Sequence, residues 1–191
     1  MPYYHIITNM KSQGVKILQW NARSISANIL NFEHFLTCEN YSVLALQSLN
    51  VEKTKMPRLT NYYFPPLCNG DNMSGKVKTA IYVRQDLRYE KMASSLLPSD
   101  AEGVYFTGVT IKVNRNEILN ILSVYLPQGP KNDNTDWLKN GNFTTNKWIV
   151  MGDFNAHSPF WDSGCTSITS NRLVENILDS QLCLLNDGRV T

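Results

Sequence analysis

Residues 148–157 read Trp148-Ile-Val-Met-Gly-Asp-Phe-Asn-Ala-His157 (WIVMGDFNAH), and the interpretation of the whole chain turns on them. Trp148, Ile149, Val150 and Met151 form the short, bounded apolar run expected of a strand buried on both faces, and Gly152 permits a sharp exit. Asp153, Asn155 and His157 follow at once, so three polar side chains crowd the end of a strand, the place where α/β folds carry their chemistry. Asp and Asn after a strand most often only shape a turn. Whether these do more depends on the partners that the rest of the chain brings to them.

Outward from this stretch the pattern is of short apolar runs ending in polar residues. Val15–Trp20 (VKILQW) predicts a strand that finishes at Asn21. Ile25, Ile29, Phe32 and Leu36 recur at helical spacing and predict an amphipathic helix to Cys38, with Ser24 or Ser26 as its N-cap. Ser42–Gln47 (SVLALQ) is a further strand, and strand, helix and strand together have the length of a parallel crossover. Asn61–Phe64 and Pro65-Pro66 lead into a polar loop, after which Thr79–Val83 is strand-like. Val104–Val113 and Glu117–Tyr125 make a hairpin across Asn114, Arg115 and Asn116. Thr135–Leu138 forms a short helical turn. Leu173, Val174, Ile177 and Leu178 mark a second amphipathic helix, Leu182–Leu185 a last strand, and Asn186-Asp187-Gly188 a turn. Antiparallel strands in the middle with strand and helix units at either end predict an α/β (α+β) protein: two sheets packed face to face, with helices outside.

At 191 residues the chain fits one domain, 15–191, behind a leader of residues 1–14. A formal net charge of +2 permits a polyanionic partner without demanding one. Cys38, Cys68, Cys165 and Cys183 are scattered, without metal-ligand spacing, and read as reduced thiols of an intracellular protein. No secretory signal and no membrane-spanning apolar run is visible.

The segments ILQWNARSI (17–25), VLALQ (43–47), KTAIYVRQDL (78–87), LSVYLPQGP (122–130), IVMGDFNAHSPFWDSG (149–164) and LLNDGRVT (184–191) together resemble the endonuclease/exonuclease/phosphatase superfamily. Within it they resemble the apurinic-like endonuclease domains of insect non-LTR retrotransposons of the jockey type. The resemblance implies the DNase I-like two-sheet fold, DNA as partner, a reverse transcriptase domain in the same polyprotein, and a nuclear place of action. It implies nicking of DNA by activated-water attack with a divalent cation, Mg2+ or Mn2+, chemistry that depends on positioning and charge neutralisation. Asn21 would be a metal ligand. Asp153 would orient or deprotonate the water, Asn155 would donate to the phosphoryl oxygens, and Tyr125 would contact the phosphate. His157 and Arg84 would lie beside the substrate, with Lys76 and Lys78 near the DNA backbone.

Two departures from the family pattern predict weakened or absent cleavage. Ser48 stands where the family has its metal-binding glutamate, and Glu52 is the nearest acidic residue after it. The family's further strands, with an aspartate and a terminal Ser-Asp-His, have no counterpart up to Thr191, so the domain reads as truncated at its C-terminus. The alternatives are a non-catalytic remnant that retains DNA binding, and a phosphoesterase acting on a small phosphoester.

Overall fold

The computed structural model describes residues 5–7, 14–65, 75–98, 103–131, 134–161 and 168–185. Strands β1 (His5–Ile7), β2 (Ile17–Asn21), β3 (Val43–Glu52) and β4 (Lys76–Val83) form one sheet in that order. A second sheet holds β5 (Arg88–Lys91), β6 (Tyr105–Asn114), β7 (Glu117–Tyr125) and β8 (Lys147–Asp153), also in order. The pairs β2·β3 and β7·β8 are parallel and the others antiparallel. The predicted two-sheet sandwich with flanking helices is therefore the observed architecture.

Three apolar clusters build it, and the two-residue alternation of strand side chains decides which residue joins which. Ile17, Val43, Ala45, Ile81, Val109, Ile111, Leu119, Ile121 and Met151 fill the space between the sheets. Leu18, Trp20, Leu44, Leu46, Ala80 and Tyr82 face the other way, under helix α1 (Ile29–Cys38). Trp20 and Phe32 stack there with ring centroids 4.5 Å apart. On the outer face of the second sheet Phe106, Leu122 and Val124 pack with Trp137, from helix α2 (Trp137–Asn140), and with Trp148 and Val150. Helix α3 (Ile168–Asp179) contacts α2.

Several elements differ from expectation, each for a local reason. Part of the supposed leader, His5–Ile7, pairs antiparallel with β2. A single helical turn of 3-10 type over Ile25–Ala27 precedes α1, and neither Ser24 nor Ser26 caps it. Ser24 instead turns a corner at φ 76° and donates its backbone N–H to Ser48 O at 2.9 Å. Strand β5, RYEK, is too short and too charged to show an apolar signature. Leu182–Leu185 forms no strand, and Leu185 is exposed. Among the described residues β8 is an edge strand, which leaves Trp148, Ile149 and Val150 only half buried. The turn expected at residues 186–188, and Cys68 and Cys165, lie outside the described residues. Cys38 and Cys183 are exposed free thiols.

Candidate active site

Strands paired in parallel end on the same side, and this places the polar strand ends together. In β2, β3 and β7 the residues facing the other sheet run from apolar through polar to the site, and in β8 they stay apolar up to the site residue. β2 presents Ile17, Gln19 and Asn21, β7 presents Ile121, Ser123 and Tyr125, and β8 presents Ile149, Met151 and Asp153. The middle tier is a buried hydrogen-bonded seam. Gln19 Nε2 donates to Gln47 Oε1 at 2.6 Å, Gln47 Nε2 donates to Ser123 Oγ at 2.8 Å, and Ser123 Oγ lies 2.7 Å from Thr79 Oγ1.

Above the seam the two sheets meet at Asn21 and Asp153, where the Asn21 amide donates to Asp153 Oδ2. The other carboxylate oxygen accepts the Asn155 backbone N–H at 3.0 Å. Asp153 also lies opposite Tyr125 in the β7·β8 register. The loop after β7 closes the arrangement: the Asn155 side-chain amide donates to Leu126 O at 2.9 Å, and Leu126 N–H donates to Asp153 O at 2.9 Å. Gly152, at φ 156°, passes so close to β7 that a Cβ there would lie 1.9 Å from Val124 O. Asp153 is thus held by two amide donors with lone pairs to spare, the arrangement a water-orienting carboxylate needs.

Ser48 joins the same group by an irregularity of β3. Between the pairs Gln47↔Thr79 and Val51↔Val77, residues 48–50 stand opposite Lys78 alone. Ser48 (φ 55°) and Asn50 (φ 51°) take left-handed backbone conformations that non-glycine residues rarely hold. The Tyr125 hydroxyl donates to Ser48 Oγ at 3.2 Å, Asn50 Nδ2 donates to it at 3.4 Å, and Lys78 Nζ donates to Asn50 Oδ1 at 2.8 Å. Spacing within a strand could not signal Asn50 and Lys78, because the bulge that gathers them is set by pairing with β4.

The structure brings together Asn21, Asp153, Asn155 and Tyr125. His157 follows on the same exposed loop, its backbone N–H donating to Ser170 Oγ at 3.1 Å. Arg84 is elsewhere. It follows Val83, which pairs with Val43 at the start of β3, so it lies at the opposite end of the sheet from Asn21. There it forms a two-pronged ion pair with Asp86, at 2.7 and 2.8 Å, and donates to Asn40. Because β4 is antiparallel to β3, the start of β4 and not its end reaches the site, which places Lys78 there and removes Arg84. Glu52 lies beyond the bulge, exposed and paired with Lys55 at 3.0 Å.

This assembly of paired sheets with polar strand ends has known counterparts. The endonuclease domain of TRAS1, a telomere-specific non-LTR retrotransposon, superposes with a TM-score of 0.69 at 21% identity, over 98% of this chain and 76% of that one. The fold is that of the endonuclease/exonuclease/phosphatase superfamily. An AP endonuclease from Archaeoglobus fulgidus shares this endonuclease/exonuclease/phosphatase fold at a TM-score of 0.53 and 19% identity, over 85% of this chain and 69% of that one. So does the 3'-5' exonuclease NExo from Neisseria meningitidis, at 0.53 and 17%, over 85% and 70%. In sequence, residues 119–191 match the family model described as endonuclease-reverse transcriptase, a stretch that contains Tyr125, Asp153 and Asn155. No curated protein matches the chain. No helix among the described residues is long and apolar enough to cross a membrane.

The described residues fit a magnesium site poorly. Magnesium takes near-octahedral oxygen ligands, usually with one or two carboxylates. Among the described residues Asp153 is the one carboxylate in the hydrogen-bonded group, and both its oxygens already accept from amides. Asn21 turns its amide nitrogen to Asp153, while its oxygen accepts the Arg23 backbone N–H at 3.2 Å. Among the described residues no group of three His, Cys, Asp or Glu side chains could hold a metal ion.

Proposed function

We propose that this chain is an endonuclease-like domain of the non-LTR retrotransposon type, which engages the DNA phosphodiester backbone at the strand-end site but cleaves it poorly. The supporting observation is the contact of Asn21 with Asp153 across the two sheets, beside Tyr125 and Asn155. In this reading Asp153 accepts a proton from the attacking water. The second N–H of the Asn155 amide, left over after its bond to Leu126 O, and a hydroxyl of the Tyr125–Ser48 pair donate to the phosphoryl oxygens. A DNA substrate makes the nucleus the place of action and a reverse transcriptase domain the natural companion.

Ser48 is the reason for poor cleavage, because a hydroxyl there supplies neither the charge nor the ligand geometry of a carboxylate. The same observation favours the second reading, a DNA-binding domain without catalysis. Nicking of supercoiled plasmid separates the two. The native chain should nick little, with or without magnesium or manganese. On the nuclease reading Ser48→Glu raises nicking by about 10²–10³-fold, the scale of one charge-stabilising group, and adding Asp153→Ala removes the gain. A Ser48→Glu protein that binds DNA yet stays inert supports the non-catalytic reading. Nicking that survives Asp153→Ala overturns the assignment of this site.

A further inference from the structure

The disagreement between this donor set and a magnesium site has a positive side: the groups present suit an anion. Ser48 is buried, at 6% exposure, and its Oγ is met by two donors, the Tyr125 hydroxyl and the Asn50 amide. Accepting both occupies its lone pairs and leaves its own proton without an acceptor; reversing the hydroxyl pair would only transfer the free proton to Tyr125. Among the described residues one O–H donor, on buried Ser48 or on half-buried Tyr125, is therefore left over at the strand ends in either arrangement. The charges agree with it. Lys78 uses one of its three N–H groups on Asn50, and Arg23, exposed beside Asn21, makes no ion pair among the described residues. Among the described residues Lys78 and, next to Asn21 in the chain, Arg23 bring two cations to the strand ends against one carboxylate, Asp153, a balance that favours an anion.

We propose that the strand-end site binds a DNA phosphate directly, through the free hydroxyl of the Ser48–Tyr125 pair and the Lys78 ammonium, with no divalent cation. A lysine serves as a point charge for a phosphate oxygen, and the hydroxyl gives it direction. This rests on the reading of DNA as the ligand.

The test is fluorescence anisotropy of a labelled duplex oligonucleotide, across a salt series, in EDTA and in magnesium. The native chain should bind equally in both. Lys78→Ala should weaken binding and reduce the salt slope by about one phosphate contact. Lys112→Ala removes the same charge at the far end of β6 and should leave the slope unchanged. Ser48→Glu places a carboxylate against the phosphate and should weaken binding in EDTA by about tenfold or more. Binding by the native chain that requires magnesium overturns this inference and leaves the reading of DNA as ligand standing. So does a salt slope that Lys78→Ala does not change, once circular dichroism shows the variant folded. Absence of binding in both buffers overturns the two together.

Discussion

Gly129 sits at φ 71°, and a Cβ on it would lie 2.7 Å from Asn155 O. Any side chain is disfavoured there, because the backbone of the loop after β7 must pass against Asn155, two residues after Asp153. Gly129→Ala should therefore cost about 1–3 kcal/mol of stability from the left-handed conformation alone. It should also weaken DNA binding by displacing Asn155, which denaturant midpoints and anisotropy would show together. A variant with native affinity would mean that Asn155 need not be held in place. Ser48 shows the converse use of strain. Its left-handed backbone turns toward the site a side chain that a regular β3 would direct away from the neighbouring Gln47 face. The sequence identifies Ser48 as a departure, but the bulge that gives it Asn50 and Lys78 as neighbours comes only from pairing.

Helices α2 and α3 are joined through Asp136, just before α2. It forms an ion pair with Arg172 at 3.1 Å and accepts from Asn176 Nδ2 at 3.1 Å. The Arg172 guanidinium holds the Asp136 carboxyl below its ordinary value, with Asn176 and Lys139 adding to the effect. A depressed native pKa stabilises the fold above the unfolded value, about 4, and the contribution is lost as pH falls through the native value. The native chain should therefore lose thermal stability below about pH 4, and Asp136→Asn should remove part of that acid dependence while lowering stability at neutral pH. An identical acid profile in the variant would assign the dependence to other carboxylates. Elements of this kind were legible where periodicity was strong. The spacing of Ile29, Phe32 and Leu36 marks α1, and that of Leu173, Val174 and Ile177 marks α3. RYEK carries no such pattern, and β5 exists because β6 offers an edge to pair with.

The two sheets are held together beneath the site by a polar seam within an otherwise apolar interior. Gln47 is wholly buried, accepts from Gln19, and donates to Ala45 O and Ser123 Oγ. Gln47→Leu strands the Gln19 amide and should cost about 1–3 kcal/mol in urea unfolding. The double replacement Gln19→Leu/Gln47→Leu removes the stranded donor and should recover part of that cost. A double variant no more stable than the single one would show that these groups do not act as a unit.

At the same scale, the sequence by itself determined that short strands end in Asn21, Tyr125 and Asp153, and that two sheets with outer helices bury the apolar runs. Alternation and run length are local properties, so they can be read along the chain. Only the tertiary structure decided which strand ends share one side. Packing of the two sheets, with β8 running parallel to β7, brings Asn21 to Asp153, while antiparallel pairing of β4 brings in Lys78 and carries Arg84 to the far end. Crossover and hairpin lengths, which are local, gave the directions of β2 against β3 and of β6 against β7, whereas the directions of β4 and β8 and the packing of one sheet on the other depend on partners distant in the chain.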